Sequence, residues 1–223
     1  MKQTRCFLIF LFFALMFSAA SCGKADVANE EKTETNNTSG TNENGNDNKT
    51  SGTTSGHYLV VYFSRSGNTR TVAQQVRQLV GDSLLAIEPT TAYTSDYDKM
   101  LTVAQQEINN IDGKNLYPSI KTTGENFDKY DAIFICTPLW WSRMSTPMQA
   151  FLNNHSDKLK GKKLYLAVTS SSSGISSVVA DAKRLCAKSA LSDTTLWIKA
   201  SDLSNVTKLV TDWITALKVS RKQ

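Results

Sequence analysis

Apolar and polar positions divide the chain into three unequal stretches. Phe7 to Phe17 is apolar throughout, residues 23–56 are mostly Asn, Thr, Ser, Gly, Glu and Lys, and from Tyr58 onward apolar runs return at regular intervals. The first of these, Tyr58 to Phe63, is β-branched and aromatic and predicts a buried strand. Val72, Ala73, Val76 and Leu79 then recur at helical spacing. Leu84 to Glu88 predicts a short strand stopped by Pro89, and Ser95 to Ile108 a helix with Tyr97, Leu101, Ala104 and Ile108 on one face. After a polar connection from Asn109 to Lys129 come a strand at Asp131 to Cys136 and a helix opening at Pro147, where proline suits the first turn. Lys163 to Thr169, Ile175 to Ala187, Thr194 to Ile198 and Asp202 to Lys218 continue the series as strand, helix, strand, helix. Five strands alternating with five helices predict an α/β domain built on a doubly wound five-stranded parallel sheet.

Composition changes the picture at the amino-terminal end. Lys2 and Arg5 precede an apolar run too short for a comfortable bilayer span of ~20 residues, which is the form of a secretory segment. Ser18-Ala19-Ala20-Ser21 then leads to Cys22. This resembles a bacterial lipoprotein lipobox, with Ala19 where leucine is usual. The resemblance implies that 1–21 is a signal peptide and that Cys22 is acylated as the first residue of the mature chain. Simple secretory cleavage after Ala20 is the competing reading. Residues 22–56 hold too little apolar surface to offset the entropy of ordering, so they predict a disordered polar tether. Residues 57–223 form the folded domain, expected outside the cytoplasm at a bacterial cell envelope and held to the membrane through lipid.

Charge narrows the partners. From residue 57 onward, 20 Lys and Arg stand against 14 Asp and Glu, a surplus of +6. These cations are scattered, with short clusters at Lys158 to Lys163 and Lys218 to Lys222, so they read as a solvated face with no nucleic-acid partner. Attraction to anionic headgroups suits a tethered domain. Cys136 and Cys186 read as buried, inert thiols, and the cysteines have no zinc or disulfide spacing. His57 and His155 belong to no Ser/His/Asp or metal-ligand arrangement. No catalytic residue and no metal ligand is assigned.

Candidate chemistry gathers where the predicted strands end. After Tyr58 to Phe63 the chain reads Ser64-Arg65-Ser66-Gly67-Asn68-Thr69 and enters a helix. Such a loop aims backbone N–H groups, a helix dipole and hydroxyls at one spot, which makes an anion socket. It carries no Lys, so neutral donors would hold a cofactor phosphate. Neither Gly-x-x-x-x-Gly-Lys-Ser/Thr nor Gly-x-Gly-x-x-Gly occurs anywhere in the chain. The stretch resembles the flavodoxin signature at Val60, Val61, Tyr62, Ser64, Gly67, Thr69, Ala73 and Val76. The resemblance extends over the whole domain and implies a strand order of 2-1-3-4-5, with ligand at the carboxyl ends of the first and third strands.

Two further loops agree. Thr137-Pro138-Leu139-Trp140-Trp141-Ser142 resembles the Tyr-Pro-Ile-Trp-Trp-Gly loop of small bacterial flavodoxin-like proteins, with Thr137 where an aromatic is common and Ser142 where glycine is usual. A flat apolar wall beside free peptide groups suits an isoalloxazine ring, and stacking is worth on the order of 1 kcal/mol beyond burial. One of Trp140 and Trp141 is expected to face the ring while the other packs or gates. Thr169-Ser170-Ser171-Ser172-Ser173-Gly174 resembles the family's small-residue loop after the fourth strand, without its histidine. Ser170, Ser171 and Gly174 are its expected cofactor contacts, and Tyr93 and Tyr97 either wall the site or pack beneath it. The resemblance implies FMN as cofactor and an electron-transferring function. It leaves open a carrier or an FMN-dependent oxidoreductase of NAD(P)H or quinone type, with an unidentified redox partner. A flavin-free binding module on the same fold is the alternative. Arg65 and Arg143, in two of the loops, with the positive surplus, favour a higher flavin potential than that of an acidic carrier.

Overall fold

The signature run Tyr58–Tyr62 (β2) is continuous rather than alternating because both of its faces are covered. Leu59 and Val61 enter one core, and Tyr58 and Val60 enter the other. The computed structural model describes residues 54–221, so the expected signal peptide, Cys22 and the expected tether up to residue 53 lie outside the described residues. These residues fall within one unit, Asn48–Gln223.

The chain opens with Thr54–Gly56 (β1) and, after β2, passes through Asn68–Val80 (α1), Ser83–Ala86 (β3) and Tyr97–Lys114 (α2). Ala132–Trp140 (β4), Arg143–Met144 (β5) and Thr146–His155 (α3) follow, then Lys163–Ser170 (β6), Ser176–Leu185 (α4) and Ala190–Leu191 (β7). Leu196–Lys199 (β8), Val206–Leu217 (α5) and Val219–Arg221 (β9) complete it. The main sheet runs β3-β2-β4-β6 in parallel, with β7 and β8 both beside β6. In strand-sequence terms this is the expected 2-1-3-4-5 order with its fifth strand in two pieces. One core packs the sheet against α2, α3 and α4 through Met100, Ala104, Met148, Phe151, Val178 and Ala182. The other packs it against α1 and α5 through Val72, Ala73, Val76, Val210 and Trp213.

Four local departures from the sequence expectations have physical causes. The expected strand Thr194–Ile198 pairs only from Leu196 onward, with Ala190–Leu191 taking the earlier half of that edge. Between them the Ser192 hydroxyl accepts from the Thr194 N–H in a local turn that interrupts the ladder. Thr54–Gly56, placed in the tether by composition, instead pairs in parallel with β9. α2 outlasts its expected end at Ile108 and stops at Lys114, where Asn115 takes a left-handed φ of 52°. The connection after it folds back along the sheet edge, with Lys121 N–H donating to Glu88 O and the Thr122 hydroxyl to Ala86 O. An edge strand so covered offers little to another chain. The fourth departure, the hairpin of β5 on β4, belongs to the site below.

Cys136 and Cys186 are buried free thiols, each pushed up to about 12 by burial. No helix among the described residues is long and apolar enough to cross a membrane.

His155, in the last turn of α3, is buried against Phe127 and Phe151, and neither ring nitrogen has a partner among the described residues. Burial, reinforced by the charge of Lys158, holds its pKa below the ordinary value. The unfolded chain therefore binds a proton more readily than the native one, and stability falls as pH drops below ~6.5. His155→Phe should flatten that decline. Urea unfolding at pH 7.5 and pH 5 measures it, and an equal loss in both proteins would remove His155 as the cause.

Candidate functional site

Because β2, β4 and β6 run the same way, the loops that follow them meet at one end of the sheet. There they enclose a cleft of about 410 Å³. The first wall is the entry to α1. Gly67 carries the turn at φ 101°, a region closed to most side chains, and its N–H donates to the Ser64 hydroxyl at 3.1 Å. No side chain caps α1 and no acidic residue sits in its first turn, so the first N–H groups of the helix remain available to an anion. Arg65, Ser66, Asn68 and Thr69 line this end of the cleft. Thr69 is buried and its hydroxyl lies 2.7 Å from that of Thr169, which ties the first loop to the end of β6.

The third loop is held by its own hydroxyl. Ser170 Oγ accepts from Trp197 Nε1 at 2.9 Å and donates to Ser173 O at 3.0 Å, so it orders the loop as well as facing the cleft. Ser171 lines the cleft beside it. Gly174 does not line it: the residue is exposed, just before α4 begins. Thr137 does not line it either. It is fully buried, with its hydroxyl 2.9 Å from that of Ser145, on the α3 side of β4. Pro138, Leu139, Trp140 and Trp141 do line the cleft. Ser64 and Gly67 do not line it, though the bond between them shapes the loop that does.

Trp140 and Trp141 part company sharply. Trp140 is 7% exposed and packs edge-on against Phe63 and Tyr93, with centroids 5.3 and 5.0 Å away. Tyr93 donates to Glu107 Oε2 at 2.7 Å, and burial first, with Glu107 adding, holds its phenol well above the ordinary value. Trp141 is 49% exposed at the cleft mouth, pinned by a bond from Nε1 to Leu101 O at 2.9 Å. Tyr93 thus packs beneath the site, whereas Tyr97 lines it.

The turn between these tryptophans and β5 is strained. β4 and β5 form a hairpin in which Trp140 pairs with Arg143, leaving Trp141 and Ser142 as the two turn residues. Their φ values are 50° and 59°, the positive pair of a type I′ turn that glycine and asparagine normally fill. Such positions cost on the order of 1–3 kcal/mol each for other residues. Arg143 answers from the far side. Its Nε and Nη2 donate to Asp181 at 2.8 Å each, and Nη1 donates to Asp112 at 2.9 Å. Asp181 also accepts from Met144 N–H and from Arg184. Burial pushes the Asp181 carboxyl up, but the bonds from Arg143, Arg184 and Met144 more than offset it and hold its pKa below the usual value. Breaking a buried pair of this kind costs up to ~3–5 kcal/mol, enough to hold the turn. Arg143 is therefore spent on two carboxylates and lends no free charge to the cleft, which corrects its expected role. Arg65 bonds only backbone oxygens, those of Thr94 and Ser95, and its charge stays at the site.

Met100, Leu101, Ser173 and Ala200 also line the cleft without having been singled out in the sequence. Leu101 had one signal, its place four residues after Tyr97 on the apolar face of α2.

Gly67 offers a direct test of the anion end. A Cβ there meets nothing within 4 Å, so Gly67→Ala carries only the torsional cost of its φ. Urea unfolding should show a loss of about 1–3 kcal/mol. An unchanged midpoint would mean that the loop relaxes freely and is not preformed.

Comparison with known proteins agrees with this geometry. The family model described as Flavodoxin matches residues 57–216. A protein assigned as a flavoprotein from Bacteroides eggerthii is 27% identical, with a TM-score of 0.61 over 74% of this chain and 99% of that one. A flavoprotein in complex with FMN from Lactobacillus acidophilus is 19% identical and shares the fold, with a TM-score of 0.56 over 69% of this chain and 99% of that one. Among curated proteins none matches the chain. With its parallel sheet, its signature loop before α1 and a family match over most of its length, the chain belongs to the flavodoxin family.

Proposed function

We propose that the cleft holds FMN and that the domain transfers electrons through it, as a carrier or as an oxidoreductase. One observation carries the reading: an uncapped helix start with hydroxyls at one end of the cleft, an apolar wall at the other, and no carboxylate among the lining residues. That donor set fits a phosphate joined to a flat apolar ring. The N–H groups of the first turn of α1, with Ser66 and Thr69, bind the phosphate without a full counter-charge. Leu139 and Trp141 would cover the ring, and Arg65 would add one positive charge from the first loop. A single phosphate end, with no pyrophosphate fingerprint, favours FMN over FAD or NAD. When bound, FMN supplies reversible uptake and release of electrons. The FMN complex of the Lactobacillus acidophilus protein supports the same assignment.

Titration of flavin-free protein with FMN, FAD and NAD decides the cofactor. FMN should bind preferentially and quench tryptophan emission. Trp141→Ala should weaken binding by about 1–3 kcal/mol, the scale of stacking plus lost burial. Trp140→Ala should act first on thermal stability. No flavin binding, and no visible absorbance in the purified domain, would leave the flavin-free binding module as the reading.

The domain works at the cell envelope in this proposal, tethered through acylated Cys22. The support is in the sequence: Lys2 and Arg5, the apolar run from Phe7 to Phe17, and small residues up to Cys22. One acyl chain binds marginally and two or three hold a protein stably. Cys22→Ala should therefore release the protein from membranes in fractionated cells and leave FMN binding intact. A wild-type mature chain that begins at Ser21 and fractionates as soluble would replace lipidation with simple secretion.

A further inference from the structure

We propose that Arg143 and Asp181 are positioning residues for the cofactor: their ion pair holds the Trp141–Ser142 turn in its left-handed conformation and thereby sets how the hairpin faces the cleft. This rests on the FMN reading above and supplies the device that fixes one wall of that site. The turn needs such a device, since neither of its residues is glycine and both have positive φ. The clamp acts at the right place. Arg143 is the residue directly after the turn, and the next residue, Met144, gives its N–H to the same Asp181 carboxylate at 3.1 Å.

It also acts from outside the site. Leu139, Trp140, Trp141 and Ser142 line the cleft, whereas Arg143, Asp112 and Asp181 do not. Asp181 is anchored in α4 and Asp112 in α2, so one guanidinium joins the hairpin to two helices. A second tie also runs to α2, where Trp141 Nε1 donates to Leu101 O. The turn is thus tied at Trp141 and at Arg143, while Trp141 and Ser142 line the cleft. Removing the buried charge frees Trp141 and Ser142 to leave the left-handed region, and the wall loses its shape before FMN arrives.

Asp181→Asn tests this, because it keeps the side-chain shape and an acceptor for Met144 N–H while removing the charge. We expect FMN affinity to fall roughly tenfold, the midpoint potential of bound flavin to move, and amides of residues 139–144 to exchange faster in flavin-free protein. The decisive arm is Ser142→Gly. Glycine needs no clamp in the left-handed region, so adding it to Asp181→Asn should restore most of the lost affinity, while in the wild type it should change affinity far less. An Asp181→Asn protein that folds and keeps wild-type affinity, potential and exchange would overturn the proposal, as would additive effects in the cycle. Should Asp181→Asn not fold, the exposed partner carries the same test: Asp112→Asn should give a smaller loss of affinity with the same glycine rescue, and no loss overturns the proposal. A wild type that binds no FMN would sink the cofactor reading instead, and exchange in the flavin-free protein would still show whether the clamp holds the turn.

Discussion

β2, β4 and β6 lie side by side and parallel, with both faces of each buried under helices. That arrangement demands apolar side chains at successive positions, which Leu59, Val60 and Val61 and their partners Ile133, Phe134 and Ile135 supply in register. It also forces every crossover to return to the same end, so that the loops leaving the three strands have nowhere to go but together. The cleft follows from chain direction rather than from any one residue. The loop sequences then decide what the cleft can bind: open N–H groups and hydroxyls after β2, aromatic surface after β4, small hydroxyl residues after β6.

Within that frame the strain is concentrated in one place. Most of the site rests on low-energy backbone, with glycine at the one turn of the first loop that requires positive φ. The hairpin after β4 is different, because it puts tryptophan and serine where glycine or asparagine would sit without cost. What keeps it there is electrostatic and distant, a guanidinium shared between carboxylates on α2 and α4. Exposed ion pairs contribute little to stability, but Asp181 is nearly excluded from water and has three donors, so its pairing with Arg143 is the stronger kind.

The same contrast explains what could be read from the chain beforehand. Strands buried on both faces announce themselves as unbroken apolar runs, and helices with one buried stripe by their period, so the layer order was legible. The loop before α1 was legible because its chemistry is contiguous. Thr137 lies off the cleft because of strand alternation: as the residue beside Pro138 it faces the other way, toward Ser145. The hairpin was hidden because Trp141-Ser142 carries no turn signal, and Arg143 was misjudged because its partners lie 31 and 38 residues away. Local pattern cannot show where a charge is spent.

The direction of the sheet strands separates the start of the described chain from the cleft. Residue 54, where the described chain starts, belongs to a strand that leads directly into β2, at the amino ends of the sheet strands. The cleft opens at their carboxyl ends. β6 spans eight residues, so the two ends are about 26 Å apart at a strand rise of ~3.3 Å. The mouth there carries Trp141, Tyr97 and Arg65, exposed or half-buried and of mixed apolar and basic character. The start of the described chain and the mouth of the cleft therefore lie at opposite ends of the sheet.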